Sequence, residues 1–179
     1  AEGADLGIAF DGDADRVAFI DNHGEMISCD MITILIAQAY LREQRGATIL
    51  YDLRSSWAVK EEVEQAGGTA VMSRVGHSYI KQQLRDMDAV FAGELSGHYY
   101  FRDNFYCDSG FMAMFKVLQL LSTDRRPVAE ILAPMRRYFA SGEINSRVND
   151  PAGVLAALEK KYAALKQFSL DGLSIEAAD

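Results

Sequence analysis

Several things are scarce in this 179-residue chain, and each scarcity excludes something. There are two cysteines, Cys29 and Cys107, far apart and outside any C-x-x-C spacing. A disulfide framework and a zinc knuckle are therefore excluded as organising features. Three prolines and no low-complexity segment exclude a Pro-rich linker architecture. No apolar run approaches the ~20 residues needed to cross a bilayer, and the opening "AEGADLG" does not read as a signal peptide. A reducing cytoplasm and no membrane contact are the expectation. Positive charge is also short, with 18 Lys and Arg against 26 Asp and Glu, a formal net charge of -8. That balance disfavours nucleic acid as a partner, although a small phosphorylated ligand needs only a few placed cations or amides.

What is present is a chain with 49% hydrophobic residues, long enough to bury a core without staples. "LGIAF" and "VAFID" read as hairpin strands, with "DNHG" as a following turn in which His23 is a turn residue. From Asp30, a candidate cap, the period becomes helical through Ile32, Leu35, Ile36, Ala39 and Tyr40, with Gly46 as a left-handed stop. Strand-like "TILYDL", "TAVMSR" and "DAVFAGE" then alternate with helical "SWAVKEEVEQAGG", which closes on Gly67, and "SYIKQQLRDM". A strongly apolar helix is expected from Phe111 through Leu121, and another from Pro127 to near Gly142. This alternation implies an α/β fold with a largely parallel sheet covered by helices. After Gly142, "INSRV" reads as a strand and Asp150–Pro151 as a helix start. A hairpin is expected around Asp171–Gly172.

The chemistry-bearing stretch is "IAFDGDADRV". Asp11, Asp13 and Asp15 lie at alternate positions of an extended segment, so they face one side and can converge on a hard cation. All-oxygen ligation suits Mg²⁺, Mn²⁺ or Ca²⁺. A helix-loop-helix calcium site fails, because Arg16 and Asn22 stand where Gly and Glu are required. A strand followed by D-x-D also resembles the nucleophile motif of haloacid-dehalogenase-type phosphatases, in which Asp11 would be phosphorylated. Asp15 as a third carboxylate fits that reading less well. A solvated acidic turn is the bland alternative.

Two further loops follow strands of the parallel sheet, where open α/β sheets bind ligands. "RVGHS" carries Gly76 and His77. "GELSGHYYF" carries Glu94, Ser96, Gly97 and His98. Glu94 and Ser96 at i, i+2 could hold a pair of neighbouring hydroxyls, while Gly93 and Gly97 would admit a ligand to the backbone. Arg54 in "DLRSSW" adds a cation to the same rim, with Ser55 or Ser56 as a helix cap. Solvated turns are the structural alternative at each position. The Met and aromatic sets of "FMAMF" and "MRRYF" read as core, and the Arg125–Arg126 and Arg136–Arg137 pairs as solvated.

In their order and spacing, "DGDADR", "RVGHS", "GELSGHYYF" and "RDNFYCDSG" resemble the α-D-phosphohexomutase family, nearest its bacterial phosphomannomutase/phosphoglucomutase members. The resemblance implies phosphoryl exchange between the 6 and 1 oxygens of a hexose phosphate, mannose or glucose, through a phosphoserine and a bisphosphate. By motif position, Asp11, Asp13 and Asp15 would hold Mg²⁺, and Arg16 would lie against the phosphoryl group. Glu94 and Ser96 would bind the sugar's 3- and 4-hydroxyls, and His77 and His98 would line the pocket or assist proton transfer. Ala14 replaces the family's usual glycine, so a positive φ is not expected there. Val75 stands where Thr is common. No serine motif like T-A-S-H-N-P and no R-x-S-N-T phosphate loop occurs in the 179 residues. The resemblance thus implies the end of domain 2 (1–24), a complete α/β domain 3 (25–141) and the start of domain 4 (142–179), with the remaining domains 1 and 4 as partners. A piece of this kind is expected to be inactive as a mutase. A non-catalytic sugar-phosphate-binding module remains the other alternative.

Overall fold

Strands β1 (Gly7–Phe10) and β2 (Val17–Ile20) pair antiparallel, with Ile8 opposite Phe19, and β3 (Met26–Ile27) adds to β2. The turn between β2 and β3 is built on Asp21. Its buried carboxylate accepts the His23 and Glu25 N–H groups at 2.9 and 3.0 Å, while Gly24 supplies a φ of +83°. The computed structural model describes residues 3–177, in two compact units, Ala1–Phe139 and Ala140–Asp179.

Helix α1 (Cys29–Glu43) is the spine of the first unit. Ile32, Ile34 and Ile36 are fully buried, so it is apolar nearly all round. The helix begins one residue before Asp30, and the expected cap is therefore corrected. Asp30 sits in the first turn, where its carboxylate accepts Ser28 Oγ and the Ser56 N–H and Oγ, the last two at 3.2 and 2.6 Å. A carboxylate there suits the helix dipole and ties α1 to the loop ahead of the next helix. Beyond the helix end, Gly46 adopts the expected positive φ, +83°.

The central sheet contains β4 (Thr48–Asp52), β5 (Thr69–Ser73), β6 (Phe91–Gly93), β7 (Tyr99–Phe101) and β8 (Cys107–Asp108), in the order β5-β4-β6-β7-β8. Helices α2 (Trp57–Gln65) and α3 (His77–Asp86) supply the crossovers. Strands β5, β4 and β6 run parallel, but β7 and β8 are antiparallel, so the sheet is mixed. Only residues 94–98 separate β6 from β7, too few for a parallel crossover, which takes a dozen or more. A hairpin is the only connection that this spacing permits. Tyr99, Tyr100 and Phe101 are fully buried, which makes the second half of "GELSGHYYF" core.

Helix α4 (Gly110–Thr123) starts on Ser109, whose side chain accepts the Met112 N–H at 3.2 Å. The expected long helix after Pro127 is only α5 (Val128–Leu132), followed by a single 3-10 turn at Ala133–Met135. Pro134 removes a backbone donor in the second turn. Residues 136–149 form neither helix nor strand. The strand expected at "INSRV" is absent, and that stretch is exposed throughout. Arg136 and Arg137 are paired rather than merely solvated, with Asp21 and with Glu61 and Glu62 respectively.

In the second unit, α6 (Pro151–Lys161) is capped as expected. Asp150 Oδ1 accepts the Gly153 N–H at 3.0 Å, and Pro151 occupies the first turn. Strands β9 (Lys166–Phe168) and β10 (Ser174–Glu176) form the hairpin, with Gly172 at φ +82°.

Candidate active site

The acidic loop lies between β1 and β2. Ligand oxygens of Asp11, Asp13 and Asp15 approach within 4.8 Å of one another, as their alternate spacing requires. Asp15 Oδ1 is buried without a hydrogen-bond partner, though the Arg16 guanidinium lies 3.7 Å away. Three hard oxygen donors and an orphaned carboxylate oxygen fit Mg²⁺. In this structure Arg16 turns to its own loop. Its Nε donates to Asp11 Oδ2 at 2.7 Å and its backbone N–H to Asp11 Oδ1 at 3.2 Å, so it neutralises its own loop. The Arg16 hydrogen bonds hold the Asp11 carboxyl below the usual range and more than offset burial. With both oxygens engaged, Asp11 is not presented as a free nucleophile.

Ala14 overturns an expectation. It has a φ of +61°, the left-handed conformation that a side chain disfavours. The loop turns there so that Asp13 and Asp15 return to one side, and the chain takes that turn with an alanine.

The other residues gather at the carboxyl ends of the three parallel strands. Asp52, at the end of β4, is fully buried. It accepts the Arg54 N–H at 2.9 Å, Arg54 Nη2 at 2.6 Å and, across the sheet, the Leu95 N–H at 2.8 Å. It therefore fastens the Arg54 loop to the Glu94 loop. Glu94 is itself buried, with Oε1 accepting the Gly76 N–H at 3.2 Å and Oε2 accepting Tyr100 OH at 2.7 Å. Arg54 Nη2 lies 3.8 Å from the same carboxylate. Burial, reinforced by the Glu94 hydrogen bond, pushes the Tyr100 hydroxyl far up, so it remains a donor.

His98 stands between the two clusters. Its Nδ1 meets Ser96 Oγ at 2.9 Å and Glu94 Oε2 at 3.4 Å, and its Nε2 lies 3.4 Å from Asp15 Oδ2. Backbone contacts join the same segments: Val17 N–H donates to the Gly97 carbonyl at 3.2 Å, and Arg16 and His98 form an isolated antiparallel bridge. Asp108, paired with Lys81 at 2.8 Å, also comes within 4.8 Å of the Asp15 and His98 donor atoms. Asp11, Asp15, Arg16, Arg54, Gly76, Glu94, Ser96, Gly97 and His98 are thus linked through direct contacts, with Asp13 within 4.8 Å of Asp11 and Asp15. His77 is exposed at the first residue of α3, beside Gly76, and no hydrogen bond joins it to that network among the described residues.

Sequence reasoning missed Asp52, Tyr100 and Asp108. A charged residue closing the buried strand "TILYD" was a usable signal for the first; nothing local marks the other two. Ser56 precedes α2, but its hydroxyl turns to Asp30 rather than capping the helix. Gly93 does not serve ligand approach either. A Cβ there would run into the Thr33 side chain of α1, so the glycine seats the helix on the sheet.

Comparisons with known proteins identify the fold and the family. Residues 28–138 match the family described as phosphoglucomutase/phosphomannomutase, alpha/beta/alpha domain III. A phosphomannomutase of Salmonella typhimurium is 44% identical over 180 residues, covering 99% of this chain and 40% of that protein. A phosphomannomutase of Escherichia coli K12 is 42% identical over the same coverage. A crystal structure of a phosphoglucomutase/phosphomannomutase family protein from Burkholderia thailandensis superposes with a TM-score of 0.87 at 30% identity, over 98% of this chain and 38% of that one. The chain spans about 40% of the length of these curated relatives. The chain, with its carboxylate loop set against the loops of a mixed α/β sheet, belongs to the phosphoglucomutase/phosphomannomutase family of α-D-phosphohexomutases.

Proposed function

We propose that this chain is the metal-binding and sugar-binding portion of a mutase that interconverts hexose 6-phosphate and hexose 1-phosphate, of mannose, glucose or both. The observation that carries this reading is the direct joining of the two loops, Asp15 to His98 and Val17 to Gly97. A cation site and a hydroxyl-binding site at that separation suit a reaction that is mostly positioning and charge neutralisation.

In this reading Asp11, Asp13 and Asp15 hold Mg²⁺, which offsets the charge of the transferring phosphoryl group. Arg16 leaves Asp11 to meet the phosphoryl oxygens. Glu94 and Ser96 accept from and orient the two sugar hydroxyls common to both directions of the reaction. Glu94 already receives two donors, and its remaining lone pairs face the Arg54 and His98 side. His98, between Asp15 and Glu94, moves a proton at the sugar oxygen, and His77 and Gly76 line the rim. The phosphoryl donor is a phosphoserine, and a hexose bisphosphate reorients between the two transfers. Residues 1–24, 25–141 and 142–179 correspond to the end of domain 2, domain 3 and the start of domain 4. The serine and phosphate-gripping motifs come from the remainder of such a polypeptide.

The 179-residue chain should bind Mg²⁺ weakly and give no glucose 6-phosphate from glucose 1-phosphate. Appreciable turnover would overturn the assignment of the phosphoryl donor to sequence outside these residues. Tight Mg²⁺ binding that survives Asp13→Ala would overturn the ligand set.

A further inference from the structure

Gly110 opens α4 in an ordinary backbone conformation, since it is absent from the positive-φ positions, so its lack of a side chain is not needed for the turn. What it provides is room. A Cβ at Gly110 would lie 2.8 Å from the Ala14 carbonyl oxygen and 3.2 Å from the Phe10 ring. A backbone oxygen cannot swing aside as a side-chain tip can. The first turn of α4 is therefore in van der Waals contact with the one residue of the acidic loop held at positive φ. The ring contact between Phe10 and Phe111, at 4.8 Å between centroids, extends the same seam. On its other flank the loop is pinned by the Val17–Gly97 hydrogen bond.

Resting on the reading of Asp11, Asp13 and Asp15 as the cation site, we infer that Gly110 is a positioning residue for it. By letting α4 close onto the Ala14 carbonyl, it keeps Ala14 left-handed and so aims Asp13 and Asp15 together. Relaxed, an alanine leaves that conformation, and the carboxylates on either side of it then diverge. Nothing at Gly110 touches the cation, and the coupling runs through the backbone of residue 14.

The test uses the 179-residue chain and Mn²⁺ as a paramagnetic substitute for Mg²⁺. In Gly110→Ala, the added methyl displaces the Ala14 carbonyl, and Mn²⁺ affinity by electron paramagnetic resonance should fall about tenfold. Hydrogen exchange gives an independent readout in the unmodified chain. Saturating Mg²⁺ should slow exchange at residues 110–113 as well as 11–16, because ordering the loop orders what it rests on. A folded Gly110→Ala chain with unchanged Mn²⁺ affinity would overturn the inference, as would unchanged exchange at 110–113. If Gly110→Ala fails to fold, the exchange result decides alone. Absence of Mn²⁺ binding in the unmodified chain would overturn the cation reading itself, and this inference with it.

Discussion

The two halves of the site are held by different physics. The half around Asp52 and Glu94 is buried. Asp52 and Glu94 are removed from water, and each accepts several hydrogen bonds from backbone amides, Arg54 or Tyr100. The acidic half is exposed or half-buried and is held by the contacts of Arg16 with Asp11 and Asp15, the approach of His98 to Asp15, one left-handed alanine and the packing of its backbone against α4 and Gly97. Buried polar groups are costly to leave unpaired, so the first half is bound up with folding. The exposed loop should contribute little to stability. Function and stability should therefore separate along this line.

The largest effect is expected at Asp52. Asp52→Ala leaves the Leu95 N–H without its acceptor and removes from Arg54 the carboxylate 2.6 Å away, with Glu94 still 3.8 Å from the guanidinium. The expected loss in urea unfolding is about 2–3 kcal/mol, discounted because Arg54 is 41% exposed and can reach water. Tyr100→Phe should cost less, about 1.5 kcal/mol, by removing the one donor on Glu94 Oε2 from a hydroxyl. A Tyr100→Phe chain as stable as the parent would show that water or His98 replaces the phenol. Asp13→Ala is the converse. Unfolding should shift by less than about 0.5 kcal/mol while Mn²⁺ binding is lost, and a large destabilisation there would erase the distinction between the halves.

The smallest effect lies outside both. Glu61 is held below the usual carboxylate range by hydrogen bonds from Tyr138 and then Arg137. A depressed folded pKa means that this stabilisation is present above the ordinary glutamate pKa and is lost as pH falls through the folded value. Acidification below the usual range should release Tyr138 from the only tryptophan, Trp57, whose ring centroid lies 5.9 Å away. Tryptophan fluorescence should change in that acid range and be flat between neutral pH and about 5. A transition near neutrality would point to another group.

Much of this was legible in the sequence because periodicity and spacing carry it. The βα alternation follows from apolar patterning, and the convergence of Asp11, Asp13 and Asp15 from alternation in an extended segment. The loops holding Arg54, Gly76 and Glu94 follow from their place after parallel strands. What was not legible depends on partners distant in sequence. Asp30 looked like a cap because its donor Ser56, 26 positions away in the chain, reaches it only in the fold. Gly93 looked like a ligand-facing glycine because Thr33 is 60 positions away in the chain. The helix after Pro127 looked longer because apolar residues continue past Pro134; Met135 is buried from the 3-10 turn, whereas Phe139 is fully exposed. Ala14 looked incompatible with a left-handed turn because its close neighbour in the fold, Gly110 at the start of α4, is far away in the chain.

The claim that a divalent cation sits beside the sugar-binding loop is tested most directly by the His98 ring. In proton NMR of the 179-residue chain, substoichiometric Mn²⁺ should broaden the His98 ring signals, assigned with His98→Gln, and Asp13→Ala should abolish the broadening. Sharp His98 signals in a chain saturated with Mn²⁺ would contradict the shared site.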